Sequence, residues 1–313
     1  MNCTIEGKEN SLIHFEIKGK AVSTFQKNRV GFCVLHPIKE CAGKAVTIFH
    51  TYKTTEAAFF PEFISLYQPF KDVKAMHWEL TTHCNVLLEF SGDIFETEDH
   101  RNWTDNNLKT YCTPLSLPFP SILNKGYEVN QTIQLSLEGG ATILEKLNDK
   151  IRITTSENER LRVPSIGVGR AFKRSENYFE ELKVLSGVGF SHYRVDIKMN
   201  EADWISHLYE AIAESKILNA KLEITLFADE NAPAQVLLFA EAFSNELSIK
   251  YITVLPLHSK CIDNKTLKTI LPLLRNKFIH AGIGAGTDAY FTELNRSELD
   301  ARDLDYVSYS VNP

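Results

Sequence analysis

The fold of the second half of the chain is decided by the stretch His192–Phe227, which reads HYRVDIKMNEADWISHLYEAIAESKILNAKLEITLF. Both of its ends alternate apolar and polar residues, which predicts β-strands at His192–Ile197 and Lys221–Phe227. Between them, Glu201–Leu218 repeats apolar residues at intervals of three and four, as an amphipathic helix does. A strand, a helix and a second strand in this order predict two parallel strands joined by a right-handed crossover.

The same alternation of strand and helix continues on both sides of this stretch. Further strands are predicted at Ser165–Gly169, Ile249–Leu255, Phe278–Ile283 and Leu304–Tyr309, and further helices at Ala232–Phe243 and Asn264–Arg275. Six parallel strands favour a (β/α)8-type barrel, with a doubly wound sheet as the alternative. Because a barrel closes only with eight strands, we expect a barrel truncated after about six strands, as part of a longer protein; an open sheet is the alternative.

The first half of the chain has a different pattern. Short apolar runs separated by glycines predict strands at Leu12–Ile17, Val30–Leu35, Ala45–Phe49, Val86–Phe90 and Tyr127–Leu137. Several short strands at this spacing are typical of an antiparallel β-sandwich-like domain. The sequence therefore predicts an antiparallel β domain at residues 1–150 and an incomplete TIM-barrel-like domain at residues 151–313, joined by a hinge-like stretch near residues 140–160.

Composition limits the classes of function. The 313 residues are 43% hydrophobic and 24% charged with a net charge of −6, and no run of Lys and Arg exceeds two residues. This argues against a nucleic-acid partner, because binding phosphates needs clustered cations. No apolar run is long enough for a membrane helix, and the amino terminus has no apolar signal core. We therefore expect a cytoplasmic protein with reduced, mostly buried thiols and no membrane partner; the sequence carries no signal of oligomeric state.

Several motifs that would define a cofactor or a nucleophile are missing. The chain has no Gly-x-Ser-x-Gly elbow, no Walker A sequence and no Cys/His pair at zinc spacing. The run Gly282–Gly286 follows a predicted strand like a dinucleotide fingerprint. However, Thr287 stands where the fingerprint needs Gly or Ala. The sequence therefore predicts no cofactor and no metal.

Barrel geometry selects the candidate site residues of the second half, because side chains near the carboxyl ends of the strands line the active mouth. These positions hold the candidate catalytic carboxylates Asp196, Glu223 and Glu293, and the candidate substrate-binding residues Arg170, Arg194, His258 and Asn295. Residues two apart on a strand share a face, so Arg194 with Asp196, and Glu223 with Thr225, are expected to face the barrel interior.

A dense polar stretch in the first half is the other candidate. It supplies Arg101, Asn102, Trp103 and Asp105, because aromatic rings beside carboxylates, Arg and Asn are typical of sugar sites. We expect Trp103 to be mostly buried and Arg101 and Asp105 to be held by hydrogen bonds, since an unpaired half-buried charge is costly. We also expect this loop to act at the domain junction near the barrel mouth.

The polar stretch also carries a family resemblance. The segment Glu98–Leu115, which contains the run Arg-Asn-Trp-Thr-Asp, resembles the D-apionate lactonase family, and so do Arg29–Pro37, Gln68–Phe70 and Phe291–Arg296. His100 departs from the Gln expected there. The resemblance implies a β-rich amino-terminal domain, a TIM-like barrel and a further carboxyl-terminal domain. It also implies hydrolysis of a sugar lactone, D-apionolactone, to D-apionate in apiose catabolism.

Three functions remain open from the residues. A lactonase needs a base to activate water, donors for the oxyanion and an acid for the leaving alkoxide. We assign the base to Glu293, the oxyanion partner to Arg170 or Arg194, and the second carboxylate to Asp196 or Glu223. The alternatives are a retaining glycoside hydrolase with two barrel carboxylates, and a non-catalytic carbohydrate-binding protein.

Overall fold

The structure is a computed structural model that describes residues 1–139, 163–243 and 249–311. These residues form two compact units, divided between Ile151 and Arg152. We call them the β unit and the α/β unit. The predicted hinge and the predicted boundary at residues 150 and 151 lie outside the described residues.

The β unit is built almost entirely of strands. They are β1 (Asn2–Lys8), β2 (Leu12–Lys20), β3 (Phe25–Lys27), β4 (Cys33–Pro37), β5 (Ala45–His50), β6 (Thr55–Phe59), β7 (Phe70–Thr81), β8 (Cys84–Ser91), β9 (Phe95–Asp99), β10 (Asn107–Tyr111), β11 (Ser121–Leu123) and β12 (Glu128–Gly139), with a short helix α1 (Ile38–Cys41). Ten of these strands form one sheet with the order β1-β2-β12-β8-β7-β9-β10-β4, to which β5 and β6 are joined through β7. All of its pairs are antiparallel, which confirms the predicted antiparallel domain.

The sheet of the β unit curls around one apolar core. Alternate residues of β7 and β8 point into it, among them Met76, Trp78, Val86 and Leu88. Burial of one face of each strand explains why the period-two pattern was readable in the sequence. The remaining strands, β3 and β11, form a separate two-stranded antiparallel sheet, and the sandwich-like arrangement stays a prediction.

The α/β unit alternates strands and helices. Its elements are β13 (Gly167–Gly169), α2 (Tyr178–Ser186), β14 (His192–Lys198), α3 (Trp204–Leu218), β15 (Lys221–Ala228), α4 (Ala232–Glu241), β16 (Ile249–Pro256), α5 (Asn264–Lys277), β17 (Gly282–Tyr290), α6 (Phe291–Arg296) and β18 (Tyr306–Ser310). The six strands are parallel and pair in chain order, β13 to β18. This sequential order is that of a barrel and not of a doubly wound sheet, whose strand order reverses.

One face of this parallel sheet packs against the helices. Buried residues of α3 such as Leu208 and Ala211 belong to one core with Val195 of β14 and Ile224 of β15. Helix α5 begins where Asp263 caps it, since its Oδ1 accepts a hydrogen bond from the backbone N–H of Thr266 at 2.9 Å. Among the described residues, no helix combines the length and the apolar character needed to cross a membrane.

The predicted strand boundaries were wrong at the fifth strand. The sequence placed it at Phe278–Ile283, whereas β17 begins at Gly282 and Phe278 is the carboxyl-terminal cap of α5. The glycine run therefore lies inside the strand and does not follow it. Glycine has a poor strand propensity, and here packing overrides it: a Cβ at Gly284 would overlap the ring of Tyr306 on the neighbouring strand.

Candidate active site

The inner face of the parallel sheet, opposite the helices, carries the polar residues that the alternation predicted. On β14, Tyr193, Val195 and Ile197 are buried, while Arg194 and Asp196 between them are partly exposed. On the neighbouring strand β15, Glu223 stands opposite Arg194 and Thr225 stands opposite Asp196. The two neighbouring strands thus bring a guanidinium and two carboxylates to one face.

Arg194 and Asp196 line a cavity of about 730 Å³. The Arg194 Nε donates a hydrogen bond to Asp196 Oδ1 at 3.0 Å, and the two side chains remain 38% and 50% exposed. Lys198, two residues further along β14, lines the same cavity. An exposed carboxylate beside two cations can bind a polar ligand and accept a proton from water.

Arg170 also lines this cavity, but its donors are committed elsewhere. Its Nε and Nη2 bind the two carboxylate oxygens of Glu214 at 2.8 and 3.1 Å, and Nη2 also contacts Glu210 at 2.6 Å. Burial opposes the charge of Arg170, and the bonds to Glu214 outweigh it, so the pKa of the guanidinium is raised. The geometry therefore favours a structural role for Arg170 over the predicted oxyanion role.

Glu214 is the centre of a buried network that the sequence analysis missed. Besides Arg170, it accepts hydrogen bonds from Tyr193 at 2.7 Å and from Arg174 at 2.6 Å. Burial and its hydrogen bonds to Tyr178 and Glu214 raise the pKa of Tyr193, so its hydroxyl stays protonated. The sequence does contain a sign of this network. Glu214 falls on the apolar stripe of its helix, where a buried acid requires a charged or hydrogen-bonding partner.

Glu223 is paired with a histidine. Its Oε2 lies 3.0 Å from Nε2 of His192, the first residue of β14, and both side chains are largely buried. Burial lowers the pKa of His192; Glu223 opposes this shift and Lys250 adds to it. The predicted catalytic carboxylate is thus held by a neutral imidazole at the amino-terminal end of β14.

Tyr306 fills the inner face between β16 and β18, which sequence reasoning did not foresee. Its hydroxyl lies 2.7 Å from Thr253 Oγ1, and its ring packs edge-on against Tyr251 with centroids 5.2 Å apart. Burial raises the pKa of Tyr306. Gly284 lies between the two strands and leaves the space that the ring occupies.

The remaining candidates of this unit follow β16 and β17. Glu293 and Asn295 both belong to α6, which begins directly after β17. Glu293 Oε1 accepts a hydrogen bond from Lys260 Nζ at 2.9 Å and lies 3.9 Å from Arg296. His258 is exposed in the segment after β16. That Glu293 faces the same opening as Arg194 and Asp196 stays a prediction.

One group of side chains in this unit could hold a metal ion. Glu201, Asp203 and His207 each offer one ligand atom, and these atoms lie within 4.8 Å of one another. Both carboxylates are exposed, and His207 Nε2 is 3.2 Å from Asp203 Oδ2. The sequence had predicted no metal, and these residues were not among its candidates.

In the β unit, Arg101 and Asn102 hold a loop in place. Arg101 binds both carboxylate oxygens of Asp99, at 2.9 and 2.7 Å, and donates to the backbone carbonyls of residues 61, 62 and 63 at 2.8 to 3.0 Å. Asn102 Nδ2 donates to the carbonyl of Ser65 at 2.7 Å. The predicted hydrogen bonding of Arg101 is confirmed, and the contacts are those of a structural clamp.

The prediction that Trp103 is mostly buried was wrong. The side chain is 47% exposed and donates its Nε1–H to Glu98 Oε1 at 3.0 Å. It ends a single 3₁₀ turn, after which Thr104 turns the backbone into the left-handed region. Asp105 is exposed too and lies 3.3 Å from Nδ1 of His100. That this loop acts at the domain junction stays a prediction.

Comparison with known proteins gives matches along the whole chain. A family profile described as D-apionate lactonase, N-terminal domain, matches residues 1–140, and one described as D-apionate lactonase, TIM barrel domain, matches residues 166–313. A protein named D-apionate lactonase from Brucella anthropi is 27% identical over 326 residues, which cover 99% of this chain and 53% of that protein. The chain thus spans about half the length of this relative.

One solved structure, titled "Crystal structure of beta-arabinopyranosidase", matches more weakly. It is 11% identical, covers 93% of this chain and 52% of that chain, and superposes with a TM-score of 0.30. This degree of likeness does not define the fold of the chain.

Proposed function

The chain belongs to the D-apionate lactonase family, and on that premise we propose that the protein hydrolyses a sugar-acid lactone, D-apionolactone, to D-apionate in the breakdown of apiose. We also propose that its six parallel strands are six of the eight strands of a barrel. The sequential strand order and the match to a TIM barrel profile support this assignment. We keep the cytoplasmic location as part of this proposal.

One observation carries the assignment of the site: the Arg194–Asp196 pair on the inner face of β14, open to a cavity of about 730 Å³. A volume in this range suits a small polar ligand. In a barrel, the reacting groups lie at the carboxyl ends of the strands, and Asp196 is close to the carboxyl end of β14.

The reaction follows from these groups. Asp196 accepts a proton from a water molecule, whose oxygen adds to the lactone carbonyl carbon. Arg194 stabilises the negative charge that develops on the carbonyl oxygen, because a guanidinium donates charge-assisted hydrogen bonds. The ring C–O bond then breaks, and the proton on Asp196 passes to the leaving alkoxide, which gives the open hydroxy acid.

The role of Glu293 changes in this proposal. Each carboxylate accepts a hydrogen bond from a cation, Glu293 from Lys260 and Asp196 from Arg194, but Asp196 lines the cavity, so Asp196 becomes the preferred base. Asn295 remains a candidate for binding the hydroxyl groups of the substrate, and Lys198, which lines the cavity, is added as a second one.

A substrate screen tests the function. The purified protein is given D-apionolactone, other five-membered sugar lactones and aryl glycosides, and acid release or chromophore release is followed. We expect acid release from the lactones above the uncatalysed rate and none of the chromophore from the glycosides. Turnover of glycosides alone would favour a glycoside hydrolase. Binding of lactone without turnover would favour a carbohydrate-binding protein.

A further inference from the structure

A second group of reactive side chains lies at the amino-terminal end of β14, away from the Asp196 end of the strand. Ser191 Oγ lies 2.6 Å from Nδ1 of His192, and Nε2 of the same ring lies 3.0 Å from Glu223 Oε2. A hydroxyl, an imidazole and a carboxylate joined in this order form the nucleophile, base and orienting group of a serine hydrolase triad. Such triads are recognised by geometry, because their order in sequence varies between folds.

The imidazole of this triad is held from both sides. A Cβ at Gly167 would overlap the His192 ring, so the ring packs directly on the backbone of β13. On β16, Tyr251 contacts the same ring edge to face, with centroids 5.6 Å apart. The position of His192 is thus fixed by packing as well as by Glu223, as an effective base requires.

A cation completes the group. Lys250 Nζ donates a hydrogen bond to Ser191 Oγ at 3.1 Å. An ammonium at this position favours an alkoxide on Ser191 and can neutralise an oxyanion formed beside it. Glu223 on β15 and Lys250 on β16 are the charged groups that act on His192, and the lowered pKa of His192 keeps the ring neutral and able to accept a proton.

We propose that Ser191, His192 and Glu223 form a second, nucleophilic acyl-transfer site that reacts with small esters. Ser191 is the nucleophile, His192 the general base and Glu223 a positioning residue. This inference does not depend on lactonase activity at the Arg194–Asp196 cavity. It also gives Glu223 a role different from that of a second lactonase carboxylate.

The proposed reaction has an acylation step and a deacylation step, both at Ser191. The Ser191 hydroxyl proton moves to Nδ1 of His192 as Oγ bonds to the ester carbonyl carbon, and Glu223 stabilises the imidazolium through Nε2–H. The alkoxide leaves with the proton from Nδ1, which produces an acyl-serine. Water then adds to the acyl carbon, His192 takes its proton and returns it to Ser191 Oγ, and the carboxylic acid departs.

Covalent labelling with diisopropyl fluorophosphate tests the site, since Oγ would displace fluoride from phosphorus. The whole chain is incubated with the reagent at pH 7.5, and the adduct is located by peptide mass spectrometry. We expect one adduct, on Ser191, and no adduct in Ser191→Ala. Ser206→Ala is the matched control, because that hydroxyl donates to the carbonyl of Asp203; it should label like the parent protein.

Two further variants separate activation from mere exposure. His192→Gln should slow labelling of Ser191 by about 10²-fold or more, the usual scale of one general base. Glu223→Gln should slow it less, with circular dichroism confirming that both variants are folded. Because the pKa of His192 is lowered, labelling of the parent protein should begin to fall at a lower pH than the protonation of an ordinary imidazole would cause.

Any of three results would overturn the proposal: a folded parent protein that does not label, an adduct on another serine, or labelling of Ser191 that His192→Gln leaves unchanged. Lactone turnover is measured on the same samples. A parent protein that hydrolyses the lactone but is not labelled would reject only this site. A parent protein that is labelled but does not hydrolyse the lactone would reject only the proposed function.

Discussion

Asp196 and Glu293 are the two carboxylates between which the base of the lactonase reaction must be chosen. Both accept a hydrogen bond from a cation, Asp196 from Arg194 and Glu293 from Lys260, and Asp196 lines the cavity. We expect Asp196→Asn to lower kcat by about 10²-fold or more, and by more than Glu293→Gln does. Steady-state rates on the lactone give the comparison, with unfolding midpoints as the control. The opposite order would return the role of base to Glu293.

Arg101 and Trp103 stand two residues apart yet differ in what they stabilise. Arg101 neutralises Asp99, which is 1% exposed, so Arg101→Ala should lower the free energy of unfolding by about 3–5 kcal/mol. Trp103 is 47% exposed, and Trp103→Ala should cost less than Arg101→Ala because about half of the indole area is already in water and no buried charge loses its partner. Urea denaturation measures both. Equal losses would mean that the indole is part of the core after all.

His36 should make the β unit sensitive to acid. The side chain is buried beside Trp78 and Thr110, and burial lowers its pKa from 6.5 to about 4. The folded protein holds His36 neutral. The stability that His36 contributes to the folded state is therefore complete above pH 6.5 and falls by about 3 kcal/mol as the pH drops from 6.5 to 4. Urea unfolding at several pH values should follow this trend, and His36→Gln should weaken it. An unchanged trend in that folded variant would assign the effect to other groups.

The sequence identified the polar residues of the candidate site better than their partners. Alternation along β14 predicted that Arg194 and Asp196 share the inner face, because a strand places every second residue on one side. It could not predict that Arg170 is committed to Glu214 or that Glu223 meets His192. Those pairs join residues of different elements, and no local pattern records which side chains a crossover brings together.

At the scale of elements, β17 shows how packing can override the low strand propensity of glycine. Its glycines leave room for Tyr306, so Gly284→Ala should force a Cβ into that ring and destabilise the protein by about 1–3 kcal/mol. Gly169→Ala on β13 is the matched control, since nothing lies within 4 Å of the Cβ that this substitution adds. Thermal unfolding distinguishes the two variants. A neutral Gly284→Ala would mean that the Tyr306 ring can move aside at little cost.

The residue pattern of each element decides how well the sequence predicts its bounds. β14, β15 and β16 are rich in apolar residues interrupted by single polar ones, and their observed bounds lie within one or two residues of the predicted ones. β17 lacks that pattern because its inner face is glycine, and its start was misplaced by four residues. The helix α2 was missed, since its nine residues are too few for a clear period.

At the scale of the whole molecule, each unit has its own hydrophobic core, and no buried residue is shared between the two clusters described. We therefore expect unfolding in two separable transitions instead of one. The tryptophans report on them separately, because Trp78 lies in the core of the β unit and Trp204 packs against the core of the α/β unit.

Matched core substitutions test this separation. Ile48 in the β unit and Ile224 in the α/β unit are both fully buried, so each Ile→Ala change should cost about 2–5 kcal/mol. In variants that retain a single tryptophan, Ile48→Ala should move only the transition seen by Trp78, and Ile224→Ala only that seen by Trp204. If either change shifted both transitions equally, the two cores would unfold as one cooperative unit, since a single transition couples every buried residue to the same free energy.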